Sequence, residues 1–337
     1  MEKSHRIQAS DATMNIKYQR ILVLVSVVLF VIKILAWVLT GSVAILTDAL
    51  ESTVNVLAGF IGLYSISLSL KPKDKEHPYG HGKIEFISSA VEGILIGIAG
   101  LIIIYEALNN LIHPHELKGL DYGLILVSIT AIINFVTGWY CVKQGKKSNS
   151  PVLIASGEHL KSDTYSTLGI ILGVGLILIT ELKWIDSVAA IVFGLVIIVT
   201  GYKIIRRSFS GMMDESDETI INEIVDVLNK NRIPQWVDVH NMRVINYAGF
   251  YHIDCHLTVP FYVNVHEAHA ILDKLTNLFT EHFSSRVEFF IHIDGCLKDQ
   301  CKICKMDNCP QRSNLFEKQI NWTFDNIISN SKHYVNT

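Results

Sequence analysis

Charged side chains are scarce between Ile21 and Ile205 of this 337-residue chain, and the net charge of the whole chain is only −3. So weak a net charge gives no indication of a nucleic-acid partner. Three catalytic signatures are also missing, because the chain has no HExxH motif, no nucleophile elbow and no P-loop. Their absence argues against a membrane metalloenzyme and an ATP-driven pump, and we expect that the protein is not an enzyme.

Apolar residues, by contrast, make up 50% of the chain, and the mean hydropathy is +0.33, too high for an ordinary soluble protein. Six apolar runs each approach the ~20 residues that cross a bilayer. The first run is too long for a signal peptide and lacks a small-residue cleavage site. We therefore predict a multi-pass α-helical membrane protein with six transmembrane helices, at about 20–40, 44–70, 86–110, 120–142, 152–180 and 184–206.

Lysine and arginine are distributed unevenly among the segments that connect these runs. They are frequent in 1–20, 71–85 and 143–151 and after the last run, whereas the other loops carry only Lys118 and Lys183. Positive residues favour the cytoplasmic side of a membrane. We therefore expect both termini in the cytoplasm and the protein in the cell (inner) membrane.

A soluble domain follows the last apolar run. The stretch "DESDETIINEIVDVLNKN" has a helical stripe, and "FYHIDCHLTVP" alternates strictly between apolar and polar residues. The predicted order helix, strand, strand, helix, strand is typical of an open-faced α/β sandwich. The chain thus divides into a cytoplasmic segment 1–19, a six-helix membrane domain 20–208, a cytoplasmic domain 209–295 and a cysteine-rich extension 296–337.

Two of the predicted spans carry polar pairs. Glu51 and Asn55 in the second span, and His159 and Asp163 in the fifth, lie four positions apart, so each pair shares a helix face. A charge in the bilayer costs roughly 2.5–3.5 kcal/mol even on lenient scales. Together the pairs offer four ligands for a tetrahedral divalent cation. The alternatives are helix-end polar residues or a structural hydrogen-bonded cluster. Asp48 could join the site, but we expect it to charge the start of the second span.

A second candidate metal site lies in the loop "KDKEHPYGHGK". Asp74, His77 and His81 fall within eight residues, and Pro78 and Gly80 shape a turn between them. Carboxylate and imidazole groups at this density suit a partly hydrated metal ion. The alternative is a solvated loop with incidental histidines.

A third candidate site lies in the soluble domain. His240, His256, His269, His292 and Asp294 occupy polar positions on its strands and its second helix, from which they can converge on one surface. The alternative is a set of exposed histidines without a shared ligand. Weaker candidates are His252, Asp254 and His266.

Four cysteines follow the last strand, in "CLKDQCKICKMDNC". A cytoplasmic segment disfavours disulfides, and the CxxC core is similar to a thiolate zinc clip. The flanking spacings differ from those of standard zinc ribbons, so a redox role or loose metal binding remains an alternative. The residues are Cys296, Cys301, Cys304 and Cys309, whereas Cys141 and Cys255 are expected to be ordinary buried cysteines.

These spans and motifs, in this order and spacing, resemble the cation diffusion facilitator family over about residues 15–300. The resemblance implies a metallochaperone-like (ferredoxin-like) cytoplasmic domain, a homodimer in the lipid bilayer, and exchange of protons for divalent metal, commonly zinc. It implies a transport site at Glu51, Asn55, His159 and Asp163, a loop site at Asp74, His77 and His81, and a binuclear cytoplasmic site at His240, His256, His269, His292 and Asp294. It also implies a dimer-stabilising charge cluster that includes Lys83 and Asp214.

The second span departs from this family at its polar pair. Relatives carry Asp/Asp or His/Asp there, whereas this chain has Glu51 and Asn55. A neutral amide oxygen lowers the charge of the site by one relative to an Asp. We expect that this weakens zinc selectivity and admits manganese, iron, cobalt, nickel or cadmium.

The sequence therefore predicts a proton-coupled exporter of divalent metal, with the metal as substrate and no catalytic cofactor. Imidazole titrates near neutral pH, which makes His159 the expected proton carrier. The alternative is a membrane-anchored metal sensor whose spans serve only as an anchor, although an anchor needs no polar pairs. An ion channel would need a wider polar lining than these spans offer.

Overall fold

Six long helices precede Asp214 in the described part of the chain. The structure, a computed structural model, describes residues 2–40, 43–112, 120–180, 184–283 and 287–335. The helices are α1 (Glu2–Thr40), α2 (Val43–Ser69), α3 (Ile84–Ile112), α4 (Leu120–Ser148), α5 (Pro151–Thr180) and α6 (Trp184–Met212). The chain divides into two compact units, of which the first is Ala9–Met213 and the second contains Asp214–Thr337.

These helices cover the six predicted apolar runs except for Leu70 at the end of the second run, and some of the helices are longer than the runs. α1 begins at Glu2, and α4 continues through Lys146 and Lys147 to Ser148, because Lys and Gln are good helix formers. Asp48 is the sixth residue of α2 and lies outside its first turn. The expectation that Asp48 charges the start of this helix is therefore wrong.

Two helical stretches among the described residues are long and apolar enough to cross a membrane. They are Thr13–Leu35 and Ile84–Asn109, identified by length and composition. The other predicted spans remain predictions.

Polar and apolar residues are distributed in the first unit as in a protein whose surface faces lipid. Leu24, Leu101 and Tyr105 are 60–71% exposed. Gln19 and Glu92, by contrast, are fully buried. Water would favour the opposite arrangement, whereas polar side chains in a bilayer face the interior of the bundle.

Glycines let neighbouring helices of this unit approach closely. α3 packs against α6, and α4 against α5. A Cβ on Gly157 would lie 2.7 Å from the carbonyl oxygen of Gly138, and one on Gly201 would lie 2.8 Å from that of Gly93. Small residues at such crossings are typical of membrane helix pairs. The Gly157 contact holds α5 close to α4 two residues before His159.

The second unit contains a three-stranded sheet with two helices. Its elements are α7 (Glu218–Lys230), β1 (Asp238–Tyr247), β2 (Phe250–Val259), α8 (Val265–His282) and β3 (Val287–Gly295). This is the predicted order of elements. Asp217 caps α7 by accepting from the backbone N–H groups of Thr219 and Ile220, and Asn264 and Glu267 form a capping box at α8.

The sheet brings the predicted histidines of its strands into line. β1 pairs with β2 antiparallel, with His240 opposite His256, and β2 pairs with β3 parallel, with His256 opposite His292. The ladder is irregular between His240 and Arg243, where Asn241 has φ 52° and its N–H donates to the carbonyl of Ser329 at 2.7 Å. The irregularity lets the C-terminal extension bond directly to β1.

The extension after β3 packs into the core of this unit. It contains a 3-10 helix (Lys298–Lys302) and α9 (Phe324–Ile327). Trp322 and Ile327 are buried with the apolar residues of α7, the sheet and α8. The described part of the extension, residues 296–335, which the sequence pattern separates from the α/β domain, is thus integrated with it through two large apolar side chains.

Candidate metal centres

Asn55 of α2 meets Asp163 and His159 of α5 inside the first unit. Asn55 Nδ2 donates a short hydrogen bond to Asp163, and His159 Nε2 lies 3.8 Å from the same carboxylate. Asn55 and His159 are 8% and 6% exposed. Among the described residues, neither Asn55 Oδ1 nor His159 Nδ1 has a hydrogen-bond partner. Buried polar atoms rarely lack a hydrogen-bond partner, and these two are suited to accept a ligand. The side chains of Glu51 and Asp48 lie outside the described part of the structure.

Two further carboxylates are buried on α3, and the sequence reasoning missed both. Ser69 Oγ donates to Glu85 at 2.8 Å and Ser150 Oγ makes a short bond to it. Ser156 Oγ donates to Glu92 at 2.6 Å. The available signal was a pair of acids within an apolar helix.

The predicted loop residues Asp74, His77 and His81 come together in the structure. His77 Nδ1 lies 3.3 Å and His81 Nε2 3.4 Å from the carboxylate of Asp74, and the three ligand atoms lie within 4.8 Å of one another. The backbone N–H of His77 donates to Asp74 at 2.7 Å and lowers the pKa of that carboxyl. Gly80 has φ +91°, a left-handed conformation that permits the turn between the histidines.

A second group of three lies on the sheet. His240 Nε2 is 3.5 Å and His256 Nδ1 is 3.1 Å from Asp294 Oδ2, and the ligand atoms again lie within 4.8 Å of one another. His240 is buried and His256 half-buried. Burial lowers the pKa of His240 and favours the neutral imidazole that binds metal. The arrangement offers two nitrogens and a carboxylate.

The other predicted members take different places. His292 Nε2 lies 3.6 Å from Asp294 at the edge of the group, and the imidazole is 65% exposed. His269 is exposed on α8, where its Nε2 lies 3.8 Å from Asp273, and it is not part of the group within the described residues. His252 lies 3.0 Å from Glu288. Asp254 and His266 likewise lie outside the group.

Asp238 supports the sheet cluster, and the sequence reasoning missed it. Its carboxylate lies 3.5 Å from His240 Nδ1, accepts from the backbone N–H of His333 at 2.9 Å and lies 2.5 Å from His333 Nδ1. Burial is the largest single effect and opposes ionisation of Asp238, but the hydrogen bonds and charge of His333, together with the charge of His240, outweigh it and lower the pKa of the carboxyl. A carboxylate behind a ligating imidazole fixes its orientation. No local pattern indicates a partner that lies 95 residues away.

The remaining predicted residues are those of the dimer charge cluster and the cysteines. Lys83 lies in the turn before α3, and Asp214 follows α6 with φ 56°. The cysteines at 296, 301, 304 and 309 are free thiols near the end of β3 and in the extension, and Cys141 and Cys255 are buried, as expected.

Comparison with known proteins agrees with this organisation. Residues 20–213 match the family described as the cation efflux transmembrane domain, and residues 216–296 match the cation efflux protein cytoplasmic domain. An uncharacterized transporter of Synechocystis is 32% identical over 76% of this chain and 83% of its own length. The manganese efflux system protein MneP of Bacillus subtilis is 27% identical over 82% of this chain and 95% of its own length. The cation-efflux pump FieF of Salmonella paratyphi A is 26% identical over 80% and 88%, respectively.

The two family matches cover the helical unit and the sheet domain in the order in which the structure has them. The first match alone spans more than half of the chain. The relatives align over most of their own lengths, so the similarity concerns whole proteins rather than a shared fragment. The chain therefore belongs to the cation diffusion facilitator family of metal transporters.

Proposed function

We propose that this protein exports divalent metal cations from the cytoplasm in exchange for protons. It does so as a homodimer with six spans in the cell (inner) membrane and with both termini in the cytoplasm. The observation that carries the proposal is the contact between α2 and α5, where Asn55 and His159 both face the carboxylate of Asp163. The match to the cytoplasmic dimerisation domain of cation efflux proteins supports the homodimer.

Metal binding replaces the hydrogen bond between Asn55 and Asp163. Rotation of the Asn55 amide turns its oxygen, which has no partner among the described residues, toward the ion. His159, Asp163 and Glu51 supply the remaining ligands. Because metal ligands must be deprotonated, protons arriving from the opposite side compete with the ion and release it. Export requires that the inward-facing and outward-facing states differ in their relative affinities for metal and protons.

The metals carried include zinc and, because Asn55 is neutral, manganese, iron, cobalt, nickel or cadmium. The name of the Bacillus subtilis relative, a manganese efflux system protein, agrees with this range. The cytoplasmic cluster of His240, His256 and Asp294 binds metal as a regulatory site that strengthens the dimer. Lys83 and Asp214 contribute to the dimer contact near the membrane.

The test is metal-driven proton flux in proteoliposomes that contain the full-length protein and a pH-sensitive dye. We expect Asp163→Ala and His159→Ala each to lower zinc-driven flux by at least about tenfold, since even outer-shell changes at metal sites cost roughly 10–100-fold. Thr164→Val is the matched control on α5. The Thr164 hydroxyl donates to the backbone carbonyls of Leu160 and Ala131 rather than to the polar side chains of the site. Its flux should stay close to that of the wild type.

The outcomes distinguish the proposed transport site from a site elsewhere in the protein, and a transporter from a metal sensor. Flux that persists in both variants would show that the transport site lies elsewhere. If the wild type itself carries no metal while its cytoplasmic domain binds zinc, the protein is a membrane-anchored sensor and the transport proposal fails.

A further inference from the structure

Four cysteines that are spread over fourteen residues line one small cavity in the second unit. Cys296 follows β3 directly, Cys301 lies in the 3-10 helix, and Cys304 and Cys309 lie in the loop beyond it. The cavity has a volume of about 20 Å³. This volume admits one water-sized particle, which suits a single metal ion and is too small for a metal–sulfur cluster.

A backbone N–H group points at the sulfur of Cys301. Ser313 N lies 3.5 Å from Cys301 Sγ. N–H donors stabilise thiolates and hold metal ligands in position. This donor therefore helps to hold Cys301 Sγ in a fixed position at the edge of the cavity.

Hydrogen bonds from the Arg312 side chain stabilise the segment that carries the cysteines. Its guanidinium donates to the carbonyls of Cys301 and Cys304 at 3.0 Å, of Met306 at 2.6 Å and of Asn314 at 3.3 Å. This side chain therefore ties both residues of the CxxC pair to the following loop. Its positive charge also offsets part of the negative charge that several thiolates would bring together.

The four sulfurs line one cavity but are not yet arranged as the ligands of one ion. Within the described residues they do not form a set whose members all lie within 4.8 Å of one another, as the ligand atoms of the two His and Asp groups do. Zinc binding would require these side chains to rotate toward the cavity until each sulfur lies about 2.3 Å from the ion.

We propose that Cys296, Cys301, Cys304 and Cys309 bind one Zn²⁺ as a tetrahedral tetrathiolate site that is structural and separate from the transported metal. Four thiolates match the ligand set of closed structural zinc sites. The site fixes the start of the C-terminal extension to the end of β3. From there the chain continues through bonds of Glu317 and Lys318 N–H to Lys302 O, at 2.8 and 3.2 Å, toward the buried Trp322.

The test uses the full-length protein in detergent with Co²⁺ in place of zinc. A cobalt–thiolate site gives an intense sulfur-to-metal charge-transfer band in the near ultraviolet and tetrahedral bands in the visible. The His and Asp groups cannot give the charge-transfer band, because they contain no sulfur. We expect the band in the wild type, its retention in the double variant His240→Ala/His256→Ala, and its loss in Cys301→Ser and Cys304→Ser. Each serine variant should also lose one zinc per chain by elemental analysis.

A second measurement on the wild type covers the case in which the serine variants fail to fold. Zinc should slow the reaction of four thiols per chain with a thiol reagent, and removal of the metal should restore their reactivity. Absence of the charge-transfer band in cobalt-loaded wild type, or equal thiol reactivity with and without zinc, would overturn the proposal. This result is independent of metal flux, so it does not depend on the transport function.

Discussion

The ammonium group of Lys332 lies 3.8 Å from a carboxylate oxygen of Asp294. Asp294 is also the acid that faces His240 and His256. The lysine belongs to the C-terminal extension, and its Nζ also donates to the carbonyl of Gly295 at 2.9 Å. The extension therefore places a positive charge beside the carboxylate that a bound cation needs.

Replacing this charge should tighten metal binding at the sheet cluster. Lys332→Gln keeps a donor for Gly295 but removes the charge that competes with the metal for Asp294. A partly buried ion pair is worth about 1 kcal/mol, which corresponds to roughly fivefold in affinity. Zinc titration of the full-length protein should show this gain in the binding event that His240→Ala abolishes.

The control for this change is Lys318→Ala, which removes an exposed lysine of the same extension. Its zinc affinity should equal that of the wild type. An equal gain in both variants would mean that net charge, rather than the contact with Asp294, sets the affinity.

Removal of the Asp238 carboxylate beside His240 should weaken metal binding at the sheet cluster. Asp238→Asn keeps the size of the side chain but removes the charge that lies 3.5 Å from His240 Nδ1 and binds His333. We expect zinc affinity at this cluster to fall by about tenfold or more. Asp226→Asn on the exposed face of α7 is the matched control. If Asp238→Asn binds zinc as tightly as the wild type, the carboxylate does not orient the imidazole.

A charged oxygen at position 55 should change metal preference in the membrane. Asn55→Asp places a second carboxylate beside Asp163, which strengthens binding of every divalent ion and most of all of those high in the Irving–Williams order. We expect zinc to gain on manganese by about tenfold or more in competition transport, equivalent to about 1.4 kcal/mol. An unchanged metal ranking would show that Asn55 does not contact the ion.

Widening the α4–α5 contact should disturb both stability and transport. In Gly157→Ala the new methyl group would lie 2.7 Å from the Gly138 carbonyl and 2.8 Å from the Val142 nitrogen. Such overpacking costs about 1–3 kcal/mol, so thermal unfolding in detergent should occur at a lower temperature and metal flux should fall. Gly97→Ala on α3 is the control, because its methyl group meets nothing within 4 Å. Equal stability of the two variants would contradict the close contact.

Local sequence patterns were sufficient to predict elements such as α7 and β2 and the faces on which the candidate site residues lie. The helical stripe of α7 and the alternation in β2 correspond to buried residues such as Ile224 and Ile253. Asp74, His77 and His81 are near neighbours in sequence, and a single turn brings them together. His269 is different, because its helical position placed it on the polar face without showing which surface of the sheet that face adjoins.

The sequence by itself determined which segments are apolar, which polar residues share a helix or strand face, and the order of elements in the cytoplasmic domain. These properties depend on the spacing within one element, which the periodicity of helices and strands sets. Only the tertiary structure decided that Asn55 meets Asp163, that Asp238 meets His333, and that the extension packs beside Asp294. These contacts join residues that are 38 to 108 positions apart. They depend on how whole elements pack, which no local spacing encodes.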